Sequence, residues 1–268
     1  MSVFEMFDKR PRKGLLYLLI TAVIISLVVW SATGIEFKGL TNKGVEVAYG
    51  MVYGLTHPDT NMLFSLSTDA VPYLLFQTTA IAILGTVFGA ILAVPFSFLQ
   101  SENIVGRPIA FVTRAFILLI RTIPSFVWAL VWIRVTGPGP FCGVVTQSVC
   151  SIGMISKMFT TAIEDLDNGI IESLDAAGCN TFEKIRVGVL PQLYASFIST
   201  TIYRFDINLK DASVLGIVGA GGIGAALQQA INSRRWGIVG AFLSGLIVLV
   251  IIIEFASTRI RKKLATGE

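Results

Sequence analysis

From Ala70 to Ser101 the chain runs for 32 residues without a charged side chain. Such a stretch leaves few choices. In a bilayer, about 20 apolar residues already span the hydrocarbon as a helix. Two more stretches, Gly14–Ile35 and Ala212–Ser233, are also free of charge. Composition agrees: of 268 residues, 54% are hydrophobic and 14% charged, and mean hydropathy is +0.75. A soluble chain needs more polar surface. A polytopic membrane chain does not, because lipid covers its outside and its backbone groups bond within helices. The expected class is an all-α membrane bundle.

The basic residues Lys9, Arg10, Arg12 and Lys13 precede the first apolar stretch. That stretch is longer than the roughly 7–15 apolar residues of a signal peptide. It therefore reads as a first span with its N-terminus cytoplasmic. Residues 36–70 form a modest outer segment, with a surface helix near Lys43–Leu55 and a turn at His57-Pro58-Asp59. Ala70–Ser101 is the second span; Gly85-x-x-x-Gly89 within it suits close helix contact. Glu102–Arg114 is a short polar link. A third span runs from about Ala115 to Arg134, and Gly137-Pro138-Gly139-Pro140 is a tight outer turn. The fourth span covers about Phe141–Ala162, with Lys157 near its inner end. Val187–Tyr203 and Trp236–Ile253 are the fifth and sixth. The chain then carries Arg259, Arg261, Lys262 and Lys263, a second basic cluster. Two basic ends on one side require an even number of crossings. Six spans result, with glycine-rich Ala212–Ser233 as a re-entrant or half-buried outer segment. Residues 1–70 read as an N-terminal helix and outer segment, and 71–268 as the core, with a cytoplasmic loop at 163–191.

Several chemistries are excluded. Gly219-Ala220-Gly221-Gly222-Ile223-Gly224 matches GxGxxG, but no βαβ unit surrounds it and no acid follows as a ribose partner. No nucleotide-binding GxxxxGK[ST] and no GxSxG occurs, so no ATPase or hydrolase site is expected in this chain. Cys142, Cys150 and Cys179 lie on separate segments and His57 is the only histidine, which argues against metal or disulfide frameworks. The net charge of +4 gathers at the chain ends and in short links, a poor pattern for nucleic acid.

Two groups of charges stand out. Ile163–Pro191 holds six of the seventeen acids, followed by Lys184 and Arg186. Acids early and bases late suit two short helices meeting at Gly178. This reads either as a solvated loop between spans or as a docking segment. At membrane depth lie Arg121, then Arg204, Asp206, Lys210 and Asp211. Unpaired charge in hydrocarbon costs several kcal/mol, so such residues face a polar interior or sit at the interface. Asp206 and Lys210, four apart, are placed to pair with each other. Arg121 and Arg204 are the leading candidates for a positively biased anion path.

Glu172, six residues before Gly178, with Leu190-Pro191 after it, resembles the cytoplasmic loop of ABC-importer permeases. The departures are Ser173 and Leu174 in place of alanines and Gly188 in place of isoleucine. The likeness sharpens at Ser101-Glu102-Asn103, at Gly137-x-Gly139-Pro140-Phe141 and at Gly188-Val189-Leu190-Pro191-Gln192. Tyr203-Arg204-Phe205, Asp206 and Asn208, then Ala212-Ser213-Val214-Leu215-Gly216 and Val218 to Gly224, complete it. From about Ser101 onward the chain resembles the phosphonate ABC-transporter permease family. The resemblance implies a type I importer permease with six transmembrane helices in a bacterial plasma membrane. Two permease copies would form the pathway for phosphonates or related phosphorus oxyanions. ATP and Mg would sit on a separate ATPase dimer, with no cofactor in this chain, and an extracytoplasmic binding protein would deliver the ligand. The implied ATPase-coupling residues are Glu172, Ala176, Ala177, Gly178, Leu190 and Pro191. The implied pathway residues are Arg121, Tyr203, Arg204, Asp206 and Lys210, beside a glycine-rich segment at Gly216, Gly219, Gly221, Gly222 and Gly224. Asp206 stands where the family commonly has Glu, and Lys210-Asp211 stands where it often has Arg.

A permease for another small solute and a stand-alone secondary transporter are the alternatives. The latter would be favoured by inverted repeats, and none is evident. The two basic ends predict a cytoplasmic location for both termini. Cysteines placed at positions 2 and 266 of a cysteine-free chain should resist an impermeant thiol reagent applied to intact cells. Labelling of either from outside would refute the arrangement.

Overall fold

The computed structural model describes residues 13–34 and 41–266. Lys9, Arg10 and Arg12, expected to orient the N-terminus, lie outside them. The chain divides into two compact units, Met1–Ala48 and Tyr49–Glu268. The first contains helix α1 (Gly14–Thr33), which buries none of its residues and has no polar face. A membrane, rather than protein, is the environment that such a helix needs.

The second unit consists of helices and the turns between them, with no strand among its described residues. Helix α2 (Asn42–Thr56) enters it, and α3 (Val71–Gln100) is its longest early element. Then come α4 (Arg107–Thr122), α5 (Ser125–Thr136), α6 (Pro140–Glu164) and the short α7 (Asn168–Ala176). A single turn at Thr181–Glu183 and a π-helical stretch, Lys184–Val189, lead into α8 (Leu190–Ile217). The last elements are α9 (Ile223–Asn232) and α10 (Trp236–Thr266).

Among the described residues, α1, α3, α6 and α10 are long and apolar enough to cross a membrane, and α4 with α5 makes a fifth crossing if the pair is one span. The expected third span is thus not straight. It bends by 85° between α4 and α5, and Pro124 is the cause. A proline has no N–H for the carbonyl four residues back, which here is Ile120. The indole Nε1 of Trp128 takes over that carbonyl at 3.2 Å and pins the bend. The expected fifth span also differs. Residues 190–217 form one helix of 28 residues, roughly 40 Å long, but it carries four charges and is not among the helices apolar enough to cross by composition. This helix absorbs the start of the segment expected as a re-entrant unit. The remainder is a turn at 218–222 and the separate helix α9.

The framework is α3 laid along α6, with α8 across both. Close approach depends on the expected glycines. A side chain added at Gly85 would meet Gln147 Cβ at 2.5 Å, and one at Gly89 would collide with Ser151 Cβ. Beyond this contact, towards the ends of α3 and α6, Phe98, Ile155, Phe159, Ile163, Val189, Leu193 and Phe197 form an apolar core. Phe159 and Phe197 stack at 3.8 Å. A second core, between α3, α9 and α10, is centred on Val71, Ile223, Val239 and Phe242. Side-chain shape matters more here than burial from water, since lipid is as apolar as leucine.

The glycine-rich turn closes the other end. Gly219, Gly221 and Gly222 have positive φ, which residues with a Cβ rarely adopt. Two amides at the start of α9 are bonded by α3: Gly222 N donates to Gln77 Oε1 at 2.9 Å and Ile223 N to Thr78 Oγ1 at 2.9 Å. Gly139 N, in the Gly-Pro turn, donates to Gly219 O at 2.8 Å.

The α3–α6 contact makes Gly89 intolerant of size. Gly89→Leu should lower the unfolding temperature of the purified chain by on the order of 5 °C, the effect of overpacking by 1–3 kcal/mol. Gly14→Ala, where nothing lies within 4 Å, should change it little. Equal effects would contradict the packing described.

Candidate functional site

A buried polar seam joins α3, α6 and α8. Asn208 Nδ2 donates to Thr86 Oγ1 and to Ser151 Oγ, both at 2.8 Å. Gln147 Nε2 donates to the Asn208 carbonyl at 2.7 Å. Ser151 Oγ also accepts from Arg204 Nε at 3.1 Å, and Arg204 Nη1 lies 3.2 Å from Met154 Sδ. Thr86, Gln147, Ser151 and Asn208 are all at most 2% exposed, and Arg204 is 7% exposed. Desolvated donors need such partners.

The seam aims Arg204 into a pocket of about 280 Å³ at the bend between α4 and α5. Arg121, Pro124, Ser125, Cys150 and Asp211 also line it. Arg121 reaches it by laying its methylene stem over Gly153, where an added Cβ would stand 2.6 Å from Arg121 Cγ. Among the described residues Arg121 has no ion pair. Ser125 begins α5, whose first turn presents unpaired N–H groups and the positive end of a helix dipole. Two guanidinium groups and a helix N-terminus therefore converge, with Asp211 as the acid whose charge acts on Arg204. Such a pocket suits a small oxyanion: guanidinium groups bond two oxygens each, and one carboxylate prevents excessive retention.

Of the five expected pathway residues, the structure brings Arg121 and Arg204 together. Tyr203, Asp206 and Lys210 lie on the other side of α8, towards α10. Asp206 and Lys210 do not pair with each other. Asp206 Oδ2 faces Arg261 Nη2 at 3.5 Å and Lys210 Nζ faces Glu254 Oε2 at 3.1 Å. The Arg261 guanidinium also sits 5.5 Å from the Tyr203 ring centroid. The reason is helical phase. Asp206 and Lys210 occupy one face, and α10 offers each a closer partner than the other. Asp211 was not foreseen in the pocket, yet at seven residues from Arg204 it falls on the same face.

The charged segment after α6 breaks at Gly178, as expected, with φ of 79° at that glycine, but only α7 before it is a short separate helix; the turn after it runs through the π-helical stretch into α8. Asp167 caps α7 through Gly169 N at 2.9 Å. Asn180 and Glu183 form a reciprocal capping box, and Lys184 Nζ bonds Asp175 Oδ1 at 2.8 Å. Glu172, Ala176, Ala177 and Gly178 are exposed together. Leu190 and Pro191 begin α8. Two of the three departures from the loop pattern compensate each other: Leu174 Cδ1 fills the space that a Cβ at Gly188 would need. Phe182, 71% exposed, was missed. A bare aromatic in a polar segment was the available signal, since it needs a partner to cover it.

Residues 85–265 match the model of the family described as binding-protein-dependent transport system inner membrane component. The chain is 33% identical over 189 residues to a phosphate-import permease protein, PhnE, of Mycolicibacterium smegmatis, covering 70% of this chain but only 36% of that protein. It is 30% identical over 189 residues to the phosphite transport system permease protein PtxC of Stutzerimonas stutzeri, covering 70% of this chain and 69% of that one. Among solved structures, an inward-facing MetNI methionine ABC transporter superposes with a TM-score of 0.62 at 24% identity, over 72% of this chain and 95% of that chain. A bacterial ABC transporter for alginate import superposes at 0.60 and 15% identity, over 96% and 99%. These two likenesses are of fold.

Arg204 shares its pocket with Asp211, and Asp206 faces Arg261 instead. Thermal unfolding of Arg204→Gln, Asp211→Asn and their double mutant should be non-additive by roughly 0.5–3 kcal/mol. The same cycle with Asp206→Asn should be close to additive. The reverse pattern would show that Asp206 is the partner.

Proposed function

The chain belongs to the family of binding-protein-dependent transport system inner membrane components, and from that premise we propose that it forms the pathway of an ATP-driven importer of phosphonates or related phosphorus oxyanions. The observation that carries this reading is the meeting of Arg121 and Arg204 at the pocket where α5 begins. A phosphonate carries one or two negative charges, and its desolvation in a helix bundle is offset only by fixed cations and dipoles. The names of the relatives, phosphate and phosphite permeases, support the same substrate class.

Two copies of the chain enclose the pathway in this proposal. An ATPase dimer, holding ATP and Mg, docks on the two segments around Gly178, and a soluble binding protein delivers the anion on the opposite side. Both termini lie on the ATPase side. Phe182 and the exposed stretch Glu172 to Gly178 form the docking surface, and the π-helical connection into α8 passes its movement to the helix that carries Arg204.

Proteoliposomes containing the chain, its ATPase and its binding protein provide the test. Uptake of phosphonate, phosphite or phosphate should require ATP. Arg204→Gln should cut uptake at least about tenfold, the worth of one charge-assisted contact, while ATP hydrolysis continues; Arg204→Lys should lose less. Gly178→Val, which strains a positive-φ position, should instead uncouple hydrolysis from uptake or release the ATPase. Uptake without ATP, or full uptake by Arg204→Gln, would overturn the proposal.

A further inference from the structure

A second cleft, of about 330 Å³, lies between α4 and α6 on the side of the bundle where α6 runs into the Gly178 segment. Its walls are two matching stripes. Arg114, Ile117, Leu118 and Arg121 follow one face of α4, and Lys157, Thr160, Thr161 and Glu164 follow one face of α6. Both stripes have helical spacing i, i+3, i+4, i+7, so the two faces oppose each other along about two turns.

The charges in it are unequally used. Arg114 is fully engaged at one end: its Nε donates to Gln100 O at 2.8 Å, its Nη1 to Glu102 Oε1 at 2.9 Å and its Nη2 to Glu164 Oε1. Glu164 Oε1 also accepts from Glu102 N at 2.9 Å. This cluster occupies both nearby carboxylates. Thr160 and Thr161 spend their hydroxyl protons on helix carbonyls. Arg121 and Lys157 are left as two cations facing one cleft, and among the described residues neither has a charge partner. The cleft's one acid, Glu164, is held by Arg114, and two like charges converging beyond its reach repel each other unless an anion lies between them.

We propose that this cleft is a second binding site for a small phosphate-class oxyanion, held by Arg121 and Lys157. Arg121 is common to this cleft and to the pocket of Arg204, so the two sites adjoin through one side chain. The proposal rests on the pathway reading only for the route by which an anion arrives. The anion comes from one of two sources: cargo passing on from Arg204, or free phosphate entering from the ATPase side.

Inorganic phosphate titrated into the permease–ATPase complex in nanodiscs distinguishes the possibilities. The unaltered chain should bind two equivalents per permease. Lys157→Gln should lose one, Lys157→Arg should keep both, and Arg121→Gln should weaken both roughly tenfold. Arg204→Gln should lose the other equivalent. If it does not, the pathway reading fails while the second site stands. One equivalent in the unaltered chain, or two in Lys157→Gln, would overturn the second site. In proteoliposomes, slower uptake by Lys157→Gln identifies cargo in transit. Inhibition by phosphate on the ATPase side, lost in Lys157→Gln, identifies the free ion. Neither effect would also overturn the site.

Discussion

A guanidinium carried midway along a membrane helix must have partners, and the arrangement of this bundle follows from how Arg204 obtains them. Its Nε needs the hydroxyl of Ser151, and that same oxygen accepts from Asn208. Asn208 in turn reaches Thr86 on α3. One asparagine thus ties three helices together. It can do so only because Gly89 lets α3 approach Ser151 without a side chain between them. Close packing and polar bonding are two aspects of the same contact, as expected where water is absent and lipid provides no hydrophobic drive between helices.

The seam also separates two tasks of α8. On one face, Arg204 and Asp211 border the pocket. On the other, Asp206 and Lys210 are spent on Arg261 and Glu254 of α10. Had all four charges faced one way, the pocket would hold three bases and two acids, counting Arg121: no greater net charge, and a second carboxylate to compete with an anion. Instead it is left with two guanidinium groups, one carboxylate and a helix N-terminus, a net positive lining.

Much of this was legible in the residues. Charge-free lengths located α1 and α3 but not the break inside Ala212–Ser233, Gly85-x-x-x-Gly89 marked the close contact, and Gly178 the break that ends α7. Arg121 and Arg204 were singled out because charge in hydrocarbon needs a reason. What was not legible depended on partners distant in the chain. Asp206 and Lys210 have spacing suited to pairing with each other, and only the position of α10 decides otherwise. The 85° bend was hidden because Pro124 alone does not reveal whether a helix kinks or ends. Trp128 settles it by bonding the carbonyl that the proline leaves free. Leu174 and Gly188 read as two separate departures from a pattern until folding placed one against the other.

The central claim is that the seam presents Arg204 to an anion in the pocket shared with Arg121. The most direct measurement is a crystal structure of the assembled transporter with tungstate, a tetrahedral oxyanion visible by anomalous scattering. The predicted result is a peak within hydrogen-bonding distance of both guanidinium groups, beside the first turn of α5, with Ser151 still bonded to Arg204. A pocket without a peak at saturating tungstate, with Arg204 turned away and bonded only to Asp211, would contradict it.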